Sequence, residues 1–281
     1  MPLVGGRGLS QGKREKMITT LAIYCAVGAV AGILAGLLGI GGGLVIVPML
    51  VYVFAIDAVP HELTMHLALA TSMASIMFTS VSSFMAHHRR GAVHWEVVRK
   101  IVAGILVGTF LGSWFASSLS TEFLKVFFVI FLYVVATQLL LNKKPKGGRE
   151  LPGRAGMFAA GNIIGAFSSL VGIGGGTLSV PFMLWCNIRI HNAIGTSAAI
   201  GLPIAVAGTV GYIVGGWNVA TLPPYSVGFV YLPALFGIAA VSVLTAPLGV
   251  KLAHSLPVDR LKRIFALLLY VVATKMLLSV M

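Results

Sequence analysis

Apolar runs of about 18 residues or more recur along this 281-residue sequence, and they constrain the fold more than any other feature. An α-helix needs roughly 20 apolar residues to cross the hydrocarbon core of a bilayer. Charged residues make up only 10% of the chain, too few to cover the surface of a soluble domain of this length. The sequence therefore predicts an all-α polytopic membrane protein. The apolar units are Ile18–Leu38, Leu44–Ile56, His66–Ala86, Ile101–Leu119, Phe123–Leu141, Ala155–Val171, Thr177–Ile188, Ala193–Val214, Val227–Leu252 and Leu261–Met281.

Two copies of one glycine-rich motif divide these units into halves. The segments GLLGIGGGLVIVP (Gly36–Pro48) and SLVGIGGGTLSVP (Ser169–Pro181) are identical at eight of thirteen positions, and YVVAT occurs at both Tyr133 and Tyr270. We therefore expect about eight transmembrane helices in two homologous repeats, each with a Gly-rich break followed by a short helix or re-entrant segment. The expected organisation is a basic N-terminal tail (1–16), a first transmembrane repeat (17–141), a basic linker (142–154) and a second transmembrane repeat (155–281).

The glycines are expected to interrupt each apolar run with irregular backbone. Inside a bilayer, such backbone persists only where it is buried in protein or lines a polar cavity. Proline is best tolerated in the first turn of a helix, so Pro48 and Pro181 indicate new short helices that start near them. Two helix N-termini brought together would bind a small anion. The candidate substrate-binding backbone is Gly41, Gly42, Gly43, Gly174, Gly175, Gly176 and the adjoining Thr177. The alternative is that the glycines form only a tight hairpin between packed helices.

Polar residues inside the apolar units are few, and several occur at matching positions of the two halves. Thr71 and Ser72 match Thr196 and Ser197, and their hydroxyls are candidates for the same binding site, with Asn192 nearby. Back-bonding to the preceding helical turn is the competing explanation for these hydroxyls.

Acidic residues are absent from the interiors of the apolar units. All seven lie in expected loops, in the linker or at helix ends, so an intramembrane carboxylate proton relay has no candidate. The sequence has no ATP-binding motif. Energy would then come from the substrate gradient, or from coupling through a histidine, an ion or a partner protein. Neither a metal nor a cofactor is expected, because the histidines have no carboxylate at ligand spacing.

Basic residues cluster beside the apolar runs, which favours contact with lipid head groups over nucleic-acid binding. If the short piece Leu44–Ile56 dips into the membrane without crossing it, the N-terminal tail, His87–Arg90 and the linker share the cytoplasmic side, as the positive-inside rule requires. If it crosses, the N-terminus and the linker lie on opposite sides and the halves are inverted. The first scheme fits these clusters better, although Leu256–Arg263 fits it poorly.

The doubled GxGGGxxxxP module (Gly39–Pro48 and Gly172–Pro181), the TS pair that follows each copy, and the chain length resemble the sulfite exporter TauE/SafE family of bacterial membrane permeases. The resemblance extends from about Met17 to Met281. It implies a multi-pass protein of the bacterial cytoplasmic (inner) membrane that transports, and in family terms exports, a small sulfur-containing anion such as sulfite or an organosulfonate. An anion channel, or a permease for another small anion or organic acid, remains an alternative; an enzyme is not expected. The chain is expected to contact the anion and membrane lipids but no nucleic acid, and a homodimer stays open.

Overall fold

The computed structural model of the chain describes residues 6–39, 41–57, 59–141, 148, 150–255 and 258–278. These residues form ten α-helices and one small antiparallel hairpin. The elements in chain order are α1 (Gly6–Leu38), α2 (Gly43–Ile56), α3 (His61–His88), α4 (Trp95–Ala116), α5 (Thr121–Leu141), α6 (Arg154–Val171), α7 (Gly176–Trp185), α8 (Ile190–Gly216), β1 (Ser226–Val227), β2 (Val230–Tyr231), α9 (Leu232–Ser255) and α10 (Val258–Leu278).

Six of the described helices are long and apolar enough to cross a membrane: α1, α3, α4, α5, α8 and α9. The helices that follow the glycine motifs are apolar but shorter, with 14 residues in α2 and 10 in α7. The prediction of an all-helical polytopic fold is confirmed. The count of eight spans and the duplication stay predictions.

Two pairs of helices pack in parallel through glycines. A β-carbon placed on Gly28 of α1 would lie 2.5 Å from the Ile238 carbonyl oxygen of α9, and the contacts continue in the same direction to Gly36 and Ala246. The same arrangement joins α4 to α6, where a β-carbon on Gly104 would lie 2.0 Å from the carbonyl oxygen of Phe158. Small residues let these backbones approach closely, as is typical of helices in lipid.

Two further pairs run antiparallel. Residues early in α3 lie against residues late in α8, as Met73 does against Gly208. In α5 and α10 the two YVVAT copies face each other, with the Tyr133 hydroxyl 2.9 Å from Thr274 Oγ1 and Thr137 Oγ1 2.6 Å from the Tyr270 hydroxyl. The four packing pairs are thus α1 with α9, α4 with α6, α3 with α8 and α5 with α10. If each helix of α1–α5 is replaced by the helix at the same place in α6–α10, and the reverse, the same four pairs result.

The direction of each helix follows from these contacts. Helix α1 runs parallel to α3, because the carbonyls of Ala35 and Gly36, near the end of α1, bond to the side chains of Ser83 and His87, near the end of α3. Helix α9 runs in this direction too, and α4, α6 and α8 run in the opposite direction. We call the end of the bundle where α3 finishes the His88 end, and the end where α2 finishes the Asp57 end. Helix α1 begins at the Asp57 end and α6 at the His88 end, so the starts of these two helices lie at opposite ends of the bundle.

Several helix boundaries differ from the sequence-based expectation, and α3 and α4 begin five and six residues before the units expected at His66 and Ile101. Helix α1 begins at Gly6, inside the expected tail, and residues 1–5 lie outside the described part of the chain, as do residues 142–147 and 149 of the expected linker. Helix α9 begins at Leu232 rather than Val227, because Tyr225 and Gly228 adopt positive φ and the chain forms the hairpin first. Short helices α2 and α7 begin five residues before Pro48 and Pro181, which lie inside them.

Candidate functional site

The two glycine motifs fold into turns of the same conformation. Gly42 caps α2 with φ 80° and ψ −7°, and Gly175 caps α7 with φ 76° and ψ −5°. This left-handed region is readily available only to glycine. Each turn ends one helix and starts the next, so the break that the sequence predicts is present in both halves.

The two turns also contact each other through their backbones. A β-carbon on Gly41 would lie 3.1 Å from the Cα of Gly174, and one on Gly43 would lie 2.2 Å from the carbonyl oxygen of Gly172. No larger side chain fits at Gly43 without moving backbone. Of the six predicted glycines, Gly41, Gly43 and Gly174 therefore lie at the contact between the two halves, whereas Gly42 and Gly175 approach Ala31 and Ile204 of their own halves.

Serine hydroxyls fasten each turn to the opposite half. Ser72 Oγ of α3 donates to the Gly172 carbonyl at 2.8 Å, and Ser197 Oγ of α8 donates to the Gly39 carbonyl at 3.1 Å. Ser197 Oγ in turn accepts a hydrogen bond from Ser179 Oγ at 2.8 Å. Both predicted serines lie at the glycine turns, and both use their hydroxyls to bind backbone.

The predicted threonines make a second reciprocal pair. Thr71 Oγ1 accepts from the Tyr231 amide at 3.0 Å, and Thr196 Oγ1 accepts from the His94 amide at 2.9 Å. Tyr231 and His94 are the residues directly before α9 and α4. The two threonines thus join each half to the start of a helix in the other. Asn192 takes part in none of these contacts and lies half-buried in the first turn of α8.

A small cavity lies between the two turns, lined by glycine, alanine and serine residues. Its volume is about 10 Å³, roughly the space that one water molecule requires. Its walls are Ala35, Gly39, Gly41, Ser80, Ser83, Gly174, Ala198 and Gly201. An oxyanion of several heavy atoms is larger than this space.

Two hydroxyls beside the second turn are buried and have no hydrogen-bond partner among the described residues: those of Ser168 and Thr177. Ser168 is completely buried and Thr177 is 7% exposed. Ser168 Oγ would lie 3.3 Å from a β-carbon on Gly175, and Thr177 is the second residue of α7. The matching positions of the first half hold Ala35 and Leu44. The two unpartnered hydroxyls beside the second turn therefore have no hydroxyl counterpart at the matching positions of the first half.

Helix α7 begins beside these hydroxyls, and the amides of Leu178 and Ser179 in its first turn donate to the Gly175 carbonyl at 3.1 and 2.8 Å, ahead of which lie the amides of Gly176 and Thr177. The first four N–H groups of any helix have no acceptor within that helix, and the helix dipole adds partial positive charge there. Pro181 lacks an N–H group, so the Thr177 carbonyl loses its usual acceptor role toward residue 181. The turn at Gly175 thus presents hydroxyls and backbone polar groups together.

The Asp57 end of the bundle is closed by the hairpin. Phe229 stacks on His66 with ring centroids 5.0 Å apart, and Tyr24 and Asp57 lie near Tyr231. Burial, with a smaller contribution from the Asp57 carboxylate, raises the pKa of the Tyr231 hydroxyl. That hydroxyl therefore stays protonated at physiological pH.

The sequence profile described as "Sulfite exporter TauE/SafE" matches residues 24–276, which include both glycine turns and all the serine and threonine contacts between the halves. The chain belongs to the TauE/SafE family. The resemblance inferred from the doubled glycine motif is thereby confirmed.

Relatives of this TauE/SafE protein carry the names of transporters. A "Probable membrane transporter protein" of Haemophilus influenzae is 41% identical over 94% of this chain and 100% of its own length. One from Methanocaldococcus jannaschii is 24% identical over 94% of this chain and 97% of its own. A "Probable membrane transporter protein YunE" of Bacillus subtilis is 28% identical over 70% of this chain and 80% of its own. No solved structure matches the chain.

Ser168 was not among the residues predicted from the sequence. Aligning the two halves would have identified it, because Ser168 occupies the position of Ala35 in the first half, just as Thr177 occupies the position of Leu44. The partners of Ser72 and Ser197 were also missed, since both acceptors are carbonyls of the opposite half.

Proposed function

We propose that this TauE/SafE protein is a secondary transporter, in the export direction, of a small sulfur-containing anion such as sulfite or an organosulfonate, bound beside the second glycine turn. The names of its relatives support a membrane transporter rather than an enzyme. Sulfur oxyanions carry several acceptor oxygens and no apolar bulk, which suits a site made of hydroxyls and amides.

The observation that carries the proposal is the pair of unpartnered hydroxyls of Ser168 and Thr177. A buried polar group without a partner costs about 1–3 kcal/mol. A bound oxyanion would accept hydrogen bonds from both hydroxyls and from the N-terminal amides of α7, and would remove that cost. The glycines at 174, 175 and 176 leave the backbone open to such a ligand, whereas Thr71, Ser72, Thr196 and Ser197 hold the surrounding helices in position.

We propose two inverted repeats and alternating access around their junction. The pairing of helices is unchanged when the halves are exchanged, and α6 and α10, with 18 and 21 residues, add to the six long apolar helices to give eight spans. The cavity of about 10 Å³ is then an occluded arrangement. Binding requires the halves to part, which is how inverted-repeat transporters expose one site to each side in turn.

We propose a bacterial cytoplasmic membrane location with the His88 end facing the cytoplasm. Cytoplasmic loops of membrane proteins carry an excess of Lys and Arg. Among the described residues, the helix ends at the His88 end carry Arg89, Arg90, Arg99, Lys100, Arg154, Arg189, Lys251 and Arg263. Lys143, Lys144, Lys146 and Arg149 fall between α5 and α6 in the sequence and lie outside the described residues. The Asp57 end carries Arg7, Lys13, Arg14, Lys16, Lys125 and Lys275.

Flux measurements in liposomes test the proposed function. The panel is sulfite, sulfate, thiosulfate, sulfoacetate, taurine and chloride, each with wild type, Gly175→Ala and Gly91→Ala. Both glycines have positive φ, but a β-carbon at 175 would lie 3.3 Å from Ser168 Oγ of the proposed site and 2.4 Å from Ile204 Cδ1, whereas nothing lies within 4 Å of one at 91. We expect saturable flux of one sulfur anion, lost in Gly175→Ala and kept in Gly91→Ala. Flux of none of the anions would refute the proposal, and single-channel currents would identify a channel instead.

A further inference from the structure

A groove lined by apolar side chains runs along the outside of the bundle between α4 and α8. Its volume is about 290 Å³, and several of its wall residues are more than a third exposed, so it opens outward. Its principal wall residues are Trp95, Val98, Val102 and Leu106 of α4 and Pro203 and Val206 of α8. The groove is separate from the glycine junction, which lies on the inner side of α8.

The length of the groove matches one leaflet of a membrane. Trp95 is the first residue of α4, at the His88 end, and Leu106 lies eleven residues further on. At 1.5 Å per residue the groove extends about 16 Å along the helix axis, and half of a hydrocarbon core is about 15 Å thick. The groove therefore runs from the membrane surface to the middle of the bilayer.

The surface end of the groove is aromatic and basic. The Trp95 indole N–H donates to His88 Nδ1 at 3.2 Å, a position typical of tryptophan at the head-group level. Arg99 follows Trp95 by one helical turn on the same face of α4, and Arg89 follows α3 directly. Both arginines are exposed and neither forms a salt bridge within the described chain.

The nearby carboxylate is already paired. Glu96 accepts a hydrogen bond from Lys100 Nζ at 2.6 Å and also interacts electrostatically with Arg99, so this carboxylate is shared by two cations and the three side chains carry a net positive charge beside the groove. The opposite half lacks both features at the matching positions. There Phe78 stands in place of Pro203 and Phe236 in place of Arg99, and both phenylalanines are exposed. The combination of an apolar groove with basic residues at its surface end thus occurs at the His88 end and not at its counterpart.

We propose that this groove binds one acyl chain of an anionic phospholipid in the leaflet at the His88 end, with the phosphate head group beside Arg89 and Arg99. The acyl chain covers the apolar walls down to Leu106, and Pro203 leaves room for it because its ring is smaller than the aromatic side chain of the other half. The two arginines select the negative head group. Bound lipid would then contact α8 on the face opposite to the glycine junction.

Contact quenching of Trp95 tests this site. The protein carries Trp114→Phe, Trp185→Phe and Trp217→Phe, so that Trp95 is the remaining tryptophan, and is reconstituted in vesicles with acyl chains brominated either on phosphatidylglycerol or on phosphatidylcholine. We expect phosphatidylglycerol to quench at a mole fraction about thirtyfold lower, because each of the two arginines provides about a fivefold preference at a membrane surface. Arg89→Gln together with Arg99→Gln should remove this preference, whereas Arg154→Gln, at the same end of the bundle, should keep it.

A second pair of variants tests the groove itself. Val206→Phe fills the groove and should weaken quenching by both lipids, whereas Val214→Phe, on the same helix but outside the groove, should leave quenching unchanged. Correct folding is verified by gel filtration of every variant. Equal quenching by the two lipids, a preference retained without Arg89 and Arg99, or unaltered quenching in Val206→Phe would each overturn the proposal.

Discussion

Replacing Gly43 with alanine measures how closely the two glycine turns must approach. The new β-carbon would lie 2.2 Å from the Gly172 carbonyl oxygen, whereas ordinary contact begins at 3.4 Å. The turns must therefore separate by about 1.2 Å, the difference between these two distances. Overpacking of this kind costs about 1–3 kcal/mol, and we expect the upper end because the atom that must move is backbone. The same carbonyl accepts the Ser72 hydrogen bond, which the shift would also stretch.

Gly91→Ala is the matched control for this change. Gly91 has φ 66° but nothing lies within 4 Å of its added β-carbon, so alanine there brings only the backbone strain of the left-handed region, about 1–2 kcal/mol. Gly43 lies outside that region, so its cost comes from contact alone. The thermal unfolding temperature in detergent should be lower for Gly43→Ala than for Gly91→Ala. Of these two variants, only Gly43→Ala should lose transport. If Gly43→Ala unfolds at the wild-type temperature, the turns do not touch as described.

Three further outcomes follow from the contacts between helices. Ser72→Ala should cost about 1 kcal/mol of stability because it leaves a carbonyl of the other half unpaired, whereas Ser75→Ala, whose hydroxyl bonds only within α3, should cost less; equal losses would argue against the bond between halves. Tyr133→Phe and Thr274→Val each remove the same hydrogen bond between α5 and α10, and Thr274→Val also removes a bond to the Tyr270 carbonyl, so the double variant should lose less stability than the sum of the single losses; a fully additive cycle would contradict that pairing. A cysteine at Gly91, which is exposed at the His88 end, should react with an impermeant thiol reagent only from the cytoplasmic side; reaction from outside would reverse the proposed orientation.

The sequence predicted helix bounds well where the apolar run and the helix have the same length. The unit expected at Ala155–Val171 is α6 (Arg154–Val171), and Phe123–Leu141 is α5 within two residues. The expectation was wrong at Val227, because hydropathy does not register a hairpin formed by apolar residues. The positive φ of Tyr225 and Gly228, which determines that hairpin, is a property of the folded backbone.

The candidate site was predictable in part for the same reason. Glycine composition identified both turns, since only glycine adopts their φ values without strain. The hydroxyl contacts were not predictable, because the acceptor of Ser72 lies 100 residues away and depends on which helices pack together. Local periodicity places Ser72 on a helix face but does not specify what that face meets. Asn192 was predicted as a site residue because it is close in sequence to Thr196. In the structure it takes no part in the serine and threonine contacts at the glycine turns.

Thermal stability of the purified protein against the six anions most directly tests the claim that a sulfur anion binds at Ser168 and Thr177. The variants are Thr177→Val and Thr109→Val; Thr109 is also buried with an unpartnered hydroxyl, but at the α4–α6 contact. A ligand at about 100 times its dissociation constant stabilises a protein by roughly 2.7 kcal/mol. We expect one sulfur anion to stabilise wild type and Thr109→Val but not Thr177→Val. Equal stabilisation of Thr177→Val, or no stabilisation of folded wild type by any anion, would contradict it.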